Sequence, residues 1–364
     1  MREKARKALV EIAQFGPRKP YAVQLALLAM IPDWLVQDFA GNLDLALALV
    51  QPMLSMQFHS AETDPTEPFK VALHRGILDP VEPLRRIREQ ALDILYQAYQ
   101  QAPTVSERLK IIRALEGAVP HLIPPMPVPD ETHTWLRPDC LRTARFFSES
   151  VVPTAELPVL DAVSKWLWRA RRFGGYQGEE LDCLEGQLQD HSLYQLYRVL
   201  VGRQIWFEVD EKPNWREAER RREETVNRYL SNLSEETSGQ AIRDLDAIAG
   251  QARDAGETDT LWLDRLLTSL GEQYPDLACQ LVERSLAEDL ALKYHLSYVV
   301  AGLRRSAPDV AMAYVEAWTA ESDPVLWLAV AHSYRFVDWE TLRDGDWDVL
   351  CQLVMLNSLP IDHE

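Results

Sequence analysis

Apolar residues along this chain recur at the three- and four-residue spacing of helices, and the alternation of a half-buried strand is almost absent. In PLRRIREQALDILYQAYQQA, Leu84, Ile87, Ala91, Leu92, Leu95 and Tyr99 share one face, while Arg85, Arg86, Glu89 and Gln90 share the other. A segment so divided is a helix with one buried side. The same reading predicts helices near 2–14, 20–30, 32–40, 43–56, 81–101, 105–118, 137–149, 156–173, 178–188, 191–208 and 214–232. It continues with 237–254, 259–272, 276–288, 290–304, 308–321, 324–336 and 346–357. Asp79 before Pro80 and Asp323 before Pro324 offer a side-chain acceptor ahead of a proline, whose missing N–H costs nothing in a first turn. Thr104 with Glu107 has the spacing of a capping box. Short links between successive helices imply antiparallel neighbours.

One stretch nearly copies itself. WLDRLLTSLGEQYPDLACQLVERSLAE, from Trp262, lies over HLSYVVAGLRRSAPDVAMAYVEAWTAE, from His295, at a displacement of 33 residues. Leu270 meets Leu303, Pro275 meets Pro308, Asp276 meets Asp309, Ala278 meets Ala311, Val282 meets Val315 and Glu283 meets Glu316. A fixed period of this length, with two helical patterns per unit, marks a stacked helical array. The expected fold is therefore all-α: an α-solenoid of stacked antiparallel helix hairpins, in one run or two blocks.

Two links interrupt the series. HSAETDPTEPF, from His59, reads as a polar loop, and VPHLIPPMPVPDETHTWLRPD, from Val119, holds six prolines and is not expected to form regular helix. The second link divides an N-terminal helical block (1–119) from a C-terminal repeat block (139–364) through a linker at 120–138. A proline-rich bridge inside one continuous array is the competing reading.

With 47% apolar and 26% charged residues in 364, the chain has a globular composition. Its net charge of −18 is unevenly spread: residues 1–125 hold 14 bases and 14 acids, 126–208 hold 9 and 12, and 209–364 hold 15 and 30. An acidic C-terminal half favours a basic protein or peptide partner and repels a nucleic-acid backbone, although a solvated surface has the same look. MREKARKALVEIAQF has no uninterrupted apolar core of a secretory signal, and no apolar run approaches a membrane span, so a cytoplasmic location and no membrane partner are expected. Cys140, Cys183, Cys279 and Cys351 stand singly on apolar helical patterns and read as buried, reduced thiols.

The motifs of chemistry are missing from the sequence. GxxxxGK[ST], HExxH, GxSxG and a strand-to-helix GxGxxG do not occur, so no catalytic residue and no cofactor is assigned. The eight histidines never fall at i, i+4 with one another or with cysteine, which gives no metal set. Asp344, Asp346 and Asp348 alternate as at the start of a calcium loop, but Met355 and Leu356 stand where its closing glutamate belongs, and a solvated turn is expected instead. The best surface candidate is KWLWRARRFGGY. Lys165, Arg169 and Arg172 fall on one stripe with Trp168 and Arg171 beside it. With Arg203 they form a basic, aromatic face for phosphate, the basis of an alternative nucleic-acid-binding reading. The competing reading of the same segment puts Trp166 and Phe173 in the core and the arginines in ion pairs. Arg216, Arg220, Arg221 and Arg222, interleaved with Glu217, Glu219, Glu223 and Glu224, read as one exposed, salt-bridged helix. Of the eleven tryptophans, Trp262, Trp318 and Trp327 have core-like spacing in the repeat, where they fill space between hairpins or anchor a partner.

The 33-residue repeat over 262–321 resembles tetratricopeptide and HEAT-type arrays, without the alanine and glycine positions of a strict tetratricopeptide consensus. A second likeness covers FKVALHRGILDPVEPLRRIREQALDILYQAYQQAPTVSERLKIIRALEGAVP, which looks like the helical segments following the nucleotide-binding module of bacterial NACHT-type (STAND) defence proteins. Together these resemblances imply a non-catalytic scaffold or sensor that binds a protein or peptide, with a separate ATPase in the second family. No catalytic residue carries over from either.

Overall fold

In a computed structural model of the chain, residues 2–15, 21–63, 71–119, 129–202, 215–321, 323–337, 340 and 342–357 are described. Among them are seventeen α-helices and one two-stranded antiparallel sheet, and no helix long and apolar enough to cross a membrane. Contacts divide the chain into two units, Met1–Tyr194 and Gln195–Glu364. The division falls inside α9 (Ser192–Leu200).

The first unit contains α1 (Arg2–Ala13), α2 (Tyr21–Gln37), α3 (Phe39–Leu54), the hairpin β1 (Gln57–Thr63) and β2 (Val71–Ile77), α4 (Glu82–Gln101) and α5 (Val105–Ala114). It continues with α6 (Asp130–Phe146), α7 (Leu157–Arg172) and α8 (Glu179–Asp190). α4 is the central helix and packs on α2, α3, α5 and α6. Its apolar face, Leu84, Ile87, Ala91, Leu92, Leu95 and Tyr99, is buried as the periodicity requires. The Thr104–Glu107 capping box closes both ways at the start of α5.

Several expectations are corrected here. Pro32 lies within α2 rather than between two helices. Asp79 does not cap α4, whose N-cap is Val81 with Pro83 in the first turn. The polar link after Met56 is a hairpin with Gln57 opposite Ile77 and Thr63 opposite Val71. The linker expected at 120–138 is helical from Asp130 onward: Pro138 lies inside α6, and Asp130 and Glu131 occupy its first turn, where acids complement the free N–H groups. Residues 120–128 lie outside the described residues.

The second unit holds α10 (Trp215–Ser231), α11 (Glu235–Asp254), α12 (Leu261–Gln273), α13 (Pro275–Ala287), α14 (Leu296–Ser306), α15 (Pro308–Ala320), α16 (Pro324–Ser333) and α17 (Asp344–Asn357). α10, α12, α14 and α16 pack one on the next; α13, α15 and α17 pack against them, and α11 against α13. The sequence repeat has a physical form. The linking residues Tyr274 (φ −134°, ψ 65°) and Ala307 (φ −140°, ψ 67°) adopt the same backbone, and each sends its N–H to the preceding helix, to Leu270 at 2.8 Å and Leu303 at 2.7 Å. A proline then opens the next helix in both copies, where its lack of an N–H is harmless. The aligned residues Leu270 and Leu303, Ala278 and Ala311, and Val282 and Val315 are all buried. At the α12–α14 crossing, Gly271 and Gly302 bring the backbones into contact; a Cβ on Gly302 would overlap the Thr268 carbonyl oxygen, so only glycine fits.

Candidate functional site

A cleft of about 730 Å³ within the second unit opens between α10, α12 and α14. Trp262 stands on its wall, 7% exposed, with the guanidinium of Arg265 4.6 Å over its ring. Beside it is Asp264, whose carboxylate meets His295 Nδ1 at 2.8 Å and accepts from the Thr260 hydroxyl at 3.3 Å. Tyr298 lines the cleft above the same carboxylate, and burial together with that neighbouring charge raises its hydroxyl pKa. The rim is charged in equal measure: Arg216, Arg220, Arg265 and Arg305 against Glu219, Glu223, Asp264 and Glu272. Arg265 pairs with Glu219 at 3.3 Å and Arg305 with Glu272 at 3.1 Å.

The repeat contributes matched positions to this cleft, whose other wall is α10. Arg265 and Tyr298 are 33 residues apart, as are Glu272 and Arg305, and all four line it. Within each copy the two positions differ by seven residues, two helical turns on one face. Trp262 and His295, which open the two copies, occupy a third equivalent position. Of these residues the sequence reading singled out only Trp262, as core or as an anchor for a partner; the others were missed, although the signal was present in the aligned copies as positions at one phase that keep their face while changing their chemistry.

The basic stripe of α7, in the first unit, takes a different form. Lys165 pairs with Asp161 at 2.9 Å, Arg169 with Glu116, and Arg171 with Asp182 at 2.5 Å and Glu185 at 3.0 Å. Trp168 packs edge-on to Phe173 at 5.3 Å, and Arg172 is exposed at the end of the helix. Arg203 lies outside the described residues. The structure thus places Lys165, Trp168, Arg169, Arg171 and Arg172 on one helix, where Lys165, Arg169 and Arg171 meet carboxylates. Trp166 is buried and donates to the Leu115 carbonyl at 3.1 Å, whereas Phe173 is only half-buried.

Other expectations change with the coordinates. In α10, Arg220 and Arg221 pair with Glu217, lowering its carboxyl pKa to about 2, but Arg222 is buried. It donates to the Gly202 carbonyl at 2.8 Å, and burial lowers its pKa. Asp346 is no part of a solvated turn: it sits in the first turn of α17, buried, and accepts from Arg304 at 2.7 Å, the Tyr334 hydroxyl at 2.8 Å and the Arg343 N–H at 2.9 Å. No group of three or more His, Cys, Asp or Glu able to hold a metal occurs among the described residues. Cys140 alone of the thiols is fully buried, which pushes its pKa up to about 12; Cys279 is half-buried, and Cys183 and Cys351 are exposed. Trp318 is core, and Trp327 is half-buried with its ring N–H on the Glu321 carbonyl at 2.6 Å.

The described residues define a largely helical protein whose second unit carries a charge-rimmed cleft walled by Trp262. Comparison of the chain with protein-family models, with curated proteins and with solved structures finds no match.

Proposed function

We propose that the second unit is an α-solenoid of the HEAT or tetratricopeptide kind, and that the chain is a scaffold that binds an extended segment of another protein in the cleft between α10, α12 and α14. The observation that carries this reading is that two pairs of repeat-equivalent positions on α12 and α14, Arg265 with Tyr298 and Glu272 with Arg305, line the cleft. A chain of regularly spaced side chains is matched by a chain of regularly spaced contacts. The balanced rim favours a peptide of mixed polarity over a uniformly charged polymer, and Trp262 is the anchor expected to contribute most of the affinity. The acidic surplus of the unit steers a basic partner from outside the cleft. The helices that line or continue the cleft layer, α10, α12, α14 and α16, carry six acids and eight bases, whereas α11, α13, α15 and α17 carry twelve acids and three bases.

The test is selection of a displayed peptide library on the full chain, followed by affinity measurement against Trp262→Ala. Peptides selected on the natural chain are expected to bind the variant about tenfold or more weakly. Equal binding to both would remove the cleft from the mechanism. Recovery of nucleic acid from a cell extract, lost on Arg169→Glu with Arg172→Glu, would favour the α7 stripe instead.

A further inference from the structure

α17 is built for contact on two sides. On one, Asp346 and Val349 are buried where the helix packs on α15 and α16. On the other, Trp347, Cys351, Val354 and Met355 follow the i, i+4, i+7, i+8 spacing of a single helical stripe. Trp347 is 50% exposed, Val354 70% and Met355 71%. The side of α17 turned away from α15 and α16 is thus apolar and exposed. Along one border of the stripe stand Asp344 and Asp348, both exposed, and α17 has no lysine or arginine.

We propose that this stripe is a docking surface for an amphipathic helix of another protein, with an apolar face bordered by lysine or arginine. Charge selects the occupant. A second copy of the chain laid parallel would set Asp344 and Asp348 against the same two acids. Laid antiparallel, it would set them near the carbonyl end of the other α17, which carries the negative end of the helix dipole. A basic helix gains at that border and covers the stripe with its apolar residues, the helix-in-groove mode of recognition. The surplus of acids on α11, α13, α15 and α17 adds a field of the same sign. This inference does not rest on the cleft.

The experiment titrates the full chain with a fluorescently labelled amphipathic peptide of leucine and lysine at helical spacing, and with its isomer carrying glutamate for lysine. The lysine peptide is expected to bind, to weaken about tenfold on Val354→Asp with Met355→Asp, and to weaken by a similar factor on Asp344→Lys with Asp348→Lys. The glutamate isomer is expected to show no binding. Unspecific attraction to an acidic surface predicts the opposite for Val354→Asp with Met355→Asp, because two added negative charges would tighten it; that result overturns the proposal. So does sedimentation of the natural chain as a dimer that these substitutions convert to a monomer, which would make a second copy the occupant. A loss of the lysine peptide's affinity on Trp262→Ala, with none on Val354→Asp with Met355→Asp, would place the peptide in the cleft and end the stripe proposal while leaving the cleft reading intact. Circular dichroism confirms that the exposed substitutions leave the helices in place.

Discussion

Arg88 with Asp139 in the first unit, and His295 with Asp264 in the second, each join a carboxylate to a basic side chain from another helix, yet their surroundings differ. Arg88 is fully buried, and every direction of its guanidinium is used: Nε to Asp139 at 2.7 Å, Nη1 to the Leu54 carbonyl and Nη2 to the Gly117 carbonyl at 3.3 Å. Arg85 adds a second bond to Asp139 at 3.3 Å while lying 4.0 Å over Trp135. One side chain thus ties α3, α4, α6 and the turn after α5 together. Burial lowers the pKa of Arg88 and the partner carboxylate opposes that shift. Asp264, by contrast, is held by His295 and Thr260 on one side and borders the cleft beside Tyr298 on the other. A charge enclosed on all sides is architecture; a charge held from behind and presented to a cavity is available to a partner.

The largest expected effect is on the enclosed pair. Arg88→Met leaves Asp139 buried with only Arg85, and Asp139→Asn leaves the Arg88 charge uncompensated. Each is expected to cost about 3–5 kcal/mol in denaturant unfolding of the full chain. The double substitution Arg88→Met with Asp139→Leu is expected to cost less than the sum, since no charge remains unpaired. If the single variants unfold like the natural protein, the pair does not hold the helices and the comparison collapses.

Asp346 asks whether enclosure, rather than membership of one unit, makes the difference. It is enclosed like Asp139 but belongs to the second unit. Burial alone would raise its pKa; the hydrogen bonds from Arg304, the Arg343 N–H and Tyr334 outweigh burial and lower it. A carboxyl with a lowered folded pKa gives stability that is fully present above its unfolded value, near pH 4, and is lost as pH falls through the folded value. Asp346→Asn is expected to cost about 1.5–3 kcal/mol at neutral pH. The gap between variant and natural protein should close below about pH 4 in thermal melts followed across pH. A gap that stays constant down to acid would show that shape, not charge, is what Asp346 contributes.

How much of this was legible beforehand differs by link. The buried face of α4 and the 33-residue repeat were visible because apolar spacing and turn chemistry are local, and Pro275 and Pro308 mark the same junction in both copies. Arg88 was not legible: on the helix it sits beside Ile87, and the groups that make its burial tolerable, Asp139 and the Leu54 and Gly117 carbonyls, are 29 to 51 residues away. The helical start of α6 was hidden by its prolines, since Pro138 is tolerated where the surrounding helices hold the segment. The hairpin β1–β2 was missed because a seven-residue strand is defined by its partner more than by its own alternation. On α7 the competing reading, with the cations in ion pairs, was legible only in part: Asp161 lies one turn from Lys165, whereas Glu116, Asp182 and Glu185 come from outside the helix. The cleft was readable in part, through the paired positions Arg265 and Tyr298, and Glu272 and Arg305.

The smallest expected change in stability belongs to Asp264, and there the comparison is sharpest. Asn at this position retains an oxygen for the Thr260 hydroxyl and keeps the shape of the wall, so Asp264→Asn is expected to cost only about 1 kcal/mol in unfolding. Its effect on recognition should be out of proportion to that figure. The cleft now balances four arginines with four carboxylates, and the substitution removes one negative charge at the foot of Trp262. Peptides selected on the Asp264→Asn chain should therefore carry more acidic residues than those selected on the natural chain, and basic residues facing Trp262 should be depleted. The two readouts separate the possible roles of the residue. A large loss of stability with an unchanged peptide set would make Asp264 a smaller version of Asp139, whereas a small loss with a shifted set is the behaviour of a group that helps choose the partner.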